Sequence, residues 1–244
     1  MKSLQSTIRS IKPCVLRGMG KRRRFVEVTK PATRGVKATF GVSCRGLTSW
    51  LARHVYSRGT LPSVSRRGDG SRFCGQRRGK LVDNQIGSIA NGRKAPAKPY
   101  LLTQLLLAYF EKHRIQLLGA QVAGMRRANR LATAADLVAK QDKELLVIEL
   151  KCGYSAGRTA ATTLRGRAQK MRGPLKQATD CILHRHFSQL SATMALLAPS
   201  LTPIAKRHDL AIKGVVLYAN QEGITAYTLP KWWTKRGMLI CGAV

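Results

Sequence analysis

The amino-acid sequence predicts an α/β domain over residues 81–244, preceded by a basic, largely irregular arm over residues 1–80. Three observations carry that expectation. The first 80 residues hold 20 Lys and Arg against two acids, Glu27 and Asp69. From residue 100 onward, apolar runs at helical spacing alternate with runs short enough to be strands. Two of the short runs, "TAADLVAK" and "ELLVIELKC", flank the polar turn "KQDK" as the arms of a hairpin would.

The arm opens with "MKSLQSTIRSIKPCVLRGMGKRRRF", which is rich in Ser and Arg and has no acid before Glu27. That composition suits a mitochondrial transit peptide, a nuclear-localisation cluster at "GKRRR", or an arm that wraps nucleic acid, and the sequence leaves all three open. "SVSRRGDGSRFCGQRRGK" mixes Gly and Arg without hydrophobic periodicity and is expected to be flexible until bound. The domain starts with "GKLVDNQIGSIANG", where Leu81, Gln85, Ile86 and Ile89 fall at helical spacing and Asn91-Gly92 closes the helix. After the breaker-rich "KAPAKP", the run "YLLTQLLLAYFEKHRI" predicts an apolar helix over about 100–115. "QLLGAQVAG", "TAADLVAK" and "ELLVIELKC" read as three strands. "GPLKQATDCILHRHFSQLSATMALL" predicts a helix with Pro174 in its first turn. "IKGVVLYAN" reads as a buried strand, and "QEG" turns it into a last or edge strand in "ITAYTLPKWW". The order from residue 100 is α-β-β-β-α-β-β, with no internal repeat.

Charge narrows the partner class. Forty-four Lys and Arg against 11 Asp and Glu give a formal net charge of +33. Self-repulsion on that scale calls for a polyanion, and nucleic acid is the expected one: DNA first, with RNA left open. An anionic membrane surface is the competing polyanion, but no run of 18 apolar residues predicts a transmembrane span. The six cysteines, at 14, 44, 74, 152, 181 and 241, show no CxxC spacing and no pairing with His at zinc spacing. Scattered thiols predict an intracellular, reducing setting: nucleus, mitochondrial matrix, or virion and host nucleus for a viral chain. His184 and His186 stand two apart on an expected helix, which aims their rings apart; contact with phosphate suits them better than a metal.

The hairpin carries the chemistry. A two- or four-residue loop is expected to set Ala139 opposite Glu144, and hence Asp136 opposite Val147. Side chains two apart on a strand share a face, so Asp136, Val147, Glu149 and Lys151 project from one side. Leu137, Leu146, Ile148 and Leu150 project from the other, as a core face. Two carboxylates suit a hard divalent cation, Mg²⁺ or Mn²⁺, which also keeps waters and takes phosphate oxygens. A neighbouring ammonium stabilises negative charge as a phosphodiester is attacked. The Leu150 backbone carbonyl is a candidate further ligand.

"TAADLVAK" followed after a turn by "VIELK" resembles the PD-(D/E)xK nuclease superfamily, whose signature is an Asp, a variable gap, then (D/E)xK. The resemblance covers roughly residues 100–220. It implies a restriction-endonuclease-like αβββαβ core, with a mixed central sheet flanked by helices, of the exonuclease or junction-resolvase kind. It also implies metal ligation by Asp136 and Glu149 and a catalytic Lys151. Ala135 stands where the signature often has Pro. Many members carry an acid on the first core helix; Asp83 and Glu111 are the candidates, and Asp83, just after "RRGK", is preferred. Some carry a Gln on the second helix. Gln177 matches, but Cys181 stands where the QxxxY pattern has Tyr.

Around this site, Arg77, Arg78, Lys80, Arg158, Arg165, Arg167, Lys170 and Arg172 are expected to hold phosphates. Trp232 and Trp233 lie among Lys231, Lys235 and Arg236, where aromatics stack on unpaired bases. The expected function is a Mg²⁺-dependent deoxyribonuclease with little base-sequence specificity, exonuclease or structure-selective endonuclease, acting in replication, recombination or repair. The alternative is a non-catalytic basic nucleic-acid-binding or packaging protein. Oligomeric state is left open.

Overall fold

The structure, a computed structural model, describes residues 3–11, 14–17, 24–30, 39–59, 75–154 and 158–242. The "GKRRR" cluster up to Arg23, and most of the Gly/Arg stretch from 63 to 80, lie outside the described residues.

Two helices open the folded domain. In α3 (Gly75–Ala90), Val82, Ile86 and Ala90 recur every fourth residue and are buried; in α4 (Leu101–Lys112), Leu102, Leu106 and Phe110 do the same. Before them come α1 (Leu4–Arg9), β1 (Cys14–Arg17), β2 (Arg24–Lys30), β3 (Thr39–Gly46) and α2 (Leu47–His54). After them come the meander β4 (Gln116–Arg126), β5 (Leu131–Gln141) and β6 (Glu144–Cys152), and a small exposed hairpin, β7 (Thr163–Leu164) with β8 (Arg167–Ala168). The chain continues as α5 (Ile182–Arg207), β9 (Ala211–Asn220), β10 (Gly223–Thr228) and α6 (Lys231–Gly242).

One mixed sheet of eight strands organises the chain, in the order β1-β2-β3-β5-β6-β9-β10 with β4 also paired to β5. β5 is antiparallel to β4 and β6, while β6 and β9 run parallel through the α5 crossover. Both faces are covered. On one, α3 and α4 set Val82, Ile86, Leu106 and Phe110 against Leu137, Leu146, Ile148 and Leu150. On the other, α5 and α6 set Leu190, Leu197 and Trp233 against Val138, Val147, Val216 and Tyr218. Each fully buried Leu or Ile contributes about 1.5–3 kcal/mol, so these layers fix which way each strand faces. No helix among the described residues is long and apolar enough to cross a membrane.

Three expectations change. The described parts of residues 1–80 are not an irregular arm: Ile8, Leu47, Trp50, Leu51 and Val55 are buried, and β3 pairs with β5 at Arg45–Leu131 and Gly46–Ala132. Leu47, Trp50, Leu51 and Val55 form a helical stripe too short to stand out against the surrounding charge. The boundary expected at 80/81 falls inside α3. The second core helix starts at Ile182 rather than near Pro174, which instead sits in a single 3₁₀ turn, Gly173–Leu175. Backbone bonds from Met171 to Ala178 and from Asp180 to Gln169 clamp the two ends of this turn together, and the pairing overrides its helical composition. α5 then runs 26 residues, through Pro199 and Pro203.

Candidate active site at a fork in the sheet

The β5–β6 hairpin closes on a two-residue loop, with Asp142 at φ 47°, a left-handed conformation Asp tolerates better than most residues. Its ladder pairs Gln141 with Glu144, Ala139 with Leu146 and Leu137 with Ile148. The same register sets Asp136 opposite Glu149, not opposite Val147 as expected. The shift is two residues, so the facing parity survives: Leu137, Leu146, Ile148 and Leu150 do pack together on the far face.

The paired residues end at Leu137–Ile148, and the two strands part there. Into the gap Asp136 turns its carboxylate: Oδ2 accepts the Leu150 N–H at 2.8 Å, filling a place in the ladder that a main-chain carbonyl would take. In an extended strand the N–H and C=O of one residue point to the same edge, so the Leu150 carbonyl also faces the gap. Beside it, Glu149 is 1% exposed. Its Oε1 is ion-paired with Lys151 Nζ, and its Oε2 is buried without a hydrogen-bond partner.

Burial pushes the Glu149 carboxyl up, and Asp136 pushes the same way, against the pull of Lys151. Burial also raises Asp136, against Lys151 and hydrogen bonds from the Leu150 N–H and the Gln121 side chain. Burial works against the Lys151 ammonium, but Glu149 and Asp136 outweigh it and hold it charged. Asp83 on α3 feels the same field: burial, then Asp136, lifts it to about 7. Asp136 and Glu149 thus flank one ammonium, with Asp83 within range of the same field. Two carboxylates and a main-chain carbonyl fit a hard cation that keeps several waters. Among the described residues, no three His, Cys, Asp or Glu side chains stand close enough to hold a metal together.

The remaining candidates divide. Asp83 joins the group; Glu111 lies on the exposed side of α4 and does not. Arg78 is buried, its guanidinium 3.5 Å from where a Cβ on Gly153 would sit, while Arg77 and Lys80 are exposed. Arg158 packs over Tyr218 at 4.7 Å and donates to the Tyr154 carbonyl; Arg172 donates to the carbonyls of Tyr56 and Arg53. Both brace the fold rather than face outward. Arg165, Arg167 and Lys170 are exposed, the first two on the β7–β8 hairpin. Gln177 sits in an exposed turn, not on a helix, and accepts from Arg236. Trp233 is 4% exposed and packs on His184 and Phe187, so it is closed to base stacking; Trp232 is open, with Arg236 over its ring.

Neither His184 nor His186 is a surface phosphate contact. His184 Nδ1 meets the Thr179 carbonyl, and His186 Nδ1 meets the Tyr218 hydroxyl at 2.7 Å. Burial, with Lys151 and Arg185 nearby, drives His186 well below its ordinary pKa and keeps it neutral. Tyr218 is the β9 partner of Lys151. Sequence reasoning missed this aromatic wall, Tyr154, His186 and Tyr218, because its members come from three separate elements. It also missed Gln121, which the β4–β5 register sets opposite Asp136. Comparison with protein-family models and with curated proteins finds no match to the chain.

Proposed function

We propose that the protein is a metal-dependent nuclease of the PD-(D/E)xK type, hydrolysing phosphodiester bonds in DNA with little base-sequence specificity. The observation that carries the reading is the pair at the fork: Glu149 buried with an unsatisfied oxygen, and Asp136 directly across from it. A buried carboxylate oxygen with nothing donating to it is costly, and a divalent cation is what such an oxygen takes. The order of a helix, three meandering strands, a helix and a strand parallel to the third supports a restriction-endonuclease-like core.

Asp136, Glu149 and the Leu150 carbonyl would hold Mg²⁺ or Mn²⁺, with the Asp83 carboxyl adding to the field around them. When bound, the cation supplies an acidified water and offsets charge on the phosphate. Lys151, kept protonated by Glu149 and Asp136, orients the attacking water and stabilises the charge that develops on the scissile phosphate. Arg165, Arg167 and Lys170 supply contacts to the DNA backbone that read no sequence. This suits branched DNA or DNA ends, in replication, recombination or repair. Cys44, Cys152, Cys181 and Cys241 are free thiols, in keeping with a reducing intracellular setting.

The test is incubation of the purified protein with linear and branched DNA in Mg²⁺, Mn²⁺ or EDTA. Metal-dependent cutting is expected, and Glu149→Ala or Lys151→Ala should lower it by at least about 10²–10³-fold. A parent protein that cuts nothing under any of these conditions, and whose DNA binding ignores Asp136→Ala, belongs instead to the non-catalytic, packaging class.

A further inference from the structure

The β7–β8 hairpin stands apart from the main sheet, as a two-stranded pair of its own. Thr163 pairs with Ala168 and Leu164 with Arg167, and every residue from Thr163 to Ala168 is exposed. Its base is built the opposite way, with Thr162 fully buried. The Thr162 N–H donates to the Asp180 carbonyl at 2.6 Å, the Gln169 N–H to that of Thr162 at 2.8 Å, and the Asp180 N–H to that of Gln169 at 2.9 Å. Gly59 closes against the base so tightly that a Cβ there would lie 2.7 Å from the Thr163 carbonyl oxygen. The Asp180 side chain is locked in turn by Arg185, which donates to both its oxygens. An exposed tip on a clamped base keeps its direction.

Both ends of this stalk lead back to the candidate site. At one end the Arg158 carbonyl accepts the Leu183 N–H, and the Arg158 guanidinium lies 4.7 Å from the Tyr218 ring centre. At the other, α5 brings His186 onto the Tyr218 hydroxyl. Tyr218 is the β9 partner of Lys151, so the residues that wall the site also orient the hairpin.

The tip pairs an apolar side chain with cations. Leu164 is 47% exposed, with Arg167 directly opposite and Arg165 next in the chain. The other exposed large apolar residues among the described residues, Leu101, Trp232, Met238 and Leu239, lie on helix surfaces, where single apolar side chains are ordinary. The turn holds Arg165 at φ 50° and Gly166 at φ 75°, a primed geometry that favours Asn-Gly. Arg in the first place forgoes that preference and sets a guanidinium at the tip. No acid lies between Glu149 and Asp180. A leucine held out between two guanidinium groups matches duplex DNA, which offers phosphates at its rim and apolar base faces within.

We propose that the β7–β8 hairpin is a wedge: Leu164 enters between neighbouring base pairs while Arg165 and Arg167 hold the phosphates on either side. The inference rests on the nuclease reading for its choice of DNA, and it narrows the substrate to DNA whose paired strands diverge. Opening a base step costs least at a fork, where pairing is already broken on one side, so the wedge favours forks and branches over continuous duplex.

The test uses the full chain in EDTA, with a synthetic fork carrying 2-aminopurine at its first paired step and a continuous duplex of the same sequence. The parent should brighten the 2-aminopurine and prefer the fork. Leu164→Ala should lose the brightening and lower the fork preference about tenfold. Its melting point and salt slope should not change, because Leu164 is exposed and uncharged. Leu164→Met, which keeps an apolar wedge, should restore both losses. A parent that binds the fork without brightening it, or a Leu164→Ala protein that brightens it equally, overturns the proposal and leaves the nuclease reading standing. Brightening that depends on Leu164, in a protein that cuts nothing with Mg²⁺ or Mn²⁺, sinks the catalytic reading and supports the wedge. Loss of binding to anionic lipid vesicles in Leu164→Ala, with fork brightening unchanged, assigns the tip to a membrane surface and overturns the proposal.

Discussion

Among the described residues two buried carboxylates pair with a cation, Asp180 and Glu149, and the pairs differ in completeness. At the entry to α5, Asp180 is fully buried and every oxygen is occupied. Arg185 donates to Oδ1 at 2.7 Å and to Oδ2 at 2.8 Å, and the Ser57 N–H donates to Oδ2 at 2.6 Å. Arg185 in turn lies over the Tyr56 ring at 4.7 Å. At the fork, Glu149 is equally buried but half satisfied: Lys151 occupies Oε1 and nothing meets Oε2. A saturated pair ties chain segments together and has no valence to offer a ligand. An unsaturated one keeps its desolvation cost, and survives where something outside the chain completes it.

Mutation should separate the two on perpendicular axes. Asp180→Ala leaves the Arg185 guanidinium and the Ser57 N–H uncompensated in the interior. It should cost about 3–5 kcal/mol of stability in urea melts. Glu149→Gln keeps the shape and removes a charge the interior disfavours. In metal-free buffer its stability should lie within about 1 kcal/mol of the parent, while cutting falls by about 10²–10³-fold. If Glu149→Gln instead unfolds the chain as Asp180→Ala does, Glu149 is a structural ion and the contrast fails.

The pH response sharpens the comparison. Asp83 titrates near 7 in the folded protein, raised by burial and by Asp136, against about 3.9 unfolded. Between those values the folded state binds more protons, so its stability falls as pH rises through the window and levels off above 7. Neutral, buried His186 has a slope of the opposite sign: acid below about 6.5 protonates the unfolded state preferentially. The measurement is therefore a difference between parent and Asp83→Asn. The variant should gain relative to the parent as pH rises from about 4 to about 7, in EDTA. Adding Mn²⁺ should reverse the trend for the parent, because a cation needs the carboxylates deprotonated. A parent and variant with parallel profiles would remove Asp83 from the site.

Much of the hairpin was legible because alternation is a strong signal: Leu137, Ile148 and Leu150 on one face force Asp136 and Glu149 to the other. Alternation fixes parity but not register. The two-residue slip came from where the turn sits: a two-residue loop was among the expected lengths, but it falls at Asp142-Lys143, one residue later than at Gln141-Asp142. Asp83 was preferred over Glu111 for its place after "RRGK"; what brings it within the field of Asp136 is α3, whose apolar stripe at Val82 and Ile86 packs against the sheet. Gln121 was illegible: nothing about a Gln in "GAQVAG" announces its left-handed backbone, at φ 52°. Asp180 was illegible for another reason. Read as part of a helix over residues 173–197, it stood out for nothing, whereas long-range bonds to Ser57 and Gln169 hold it in place.

The same distinction between saturated and open groups should hold on a smaller scale among the arginines that follow the site. Arg172 is committed to two main-chain carbonyls, at 2.7 Å each, whereas Arg167 is exposed beside a two-residue turn. Both add one positive charge, so a reading based on composition alone treats them alike. In DNA binding measured in EDTA across a salt series, Arg167→Ala should flatten the slope of log affinity against log salt by about 0.9, the change expected when one phosphate is no longer neutralised. Arg172→Ala should leave that slope unchanged and lower stability by about 1–3 kcal/mol, because the Tyr56 carbonyl is left without its donor. Equal slopes for the two variants would mean that the β7–β8 hairpin does not touch the backbone, and that cations bracing the fold do as much for DNA as those facing outward.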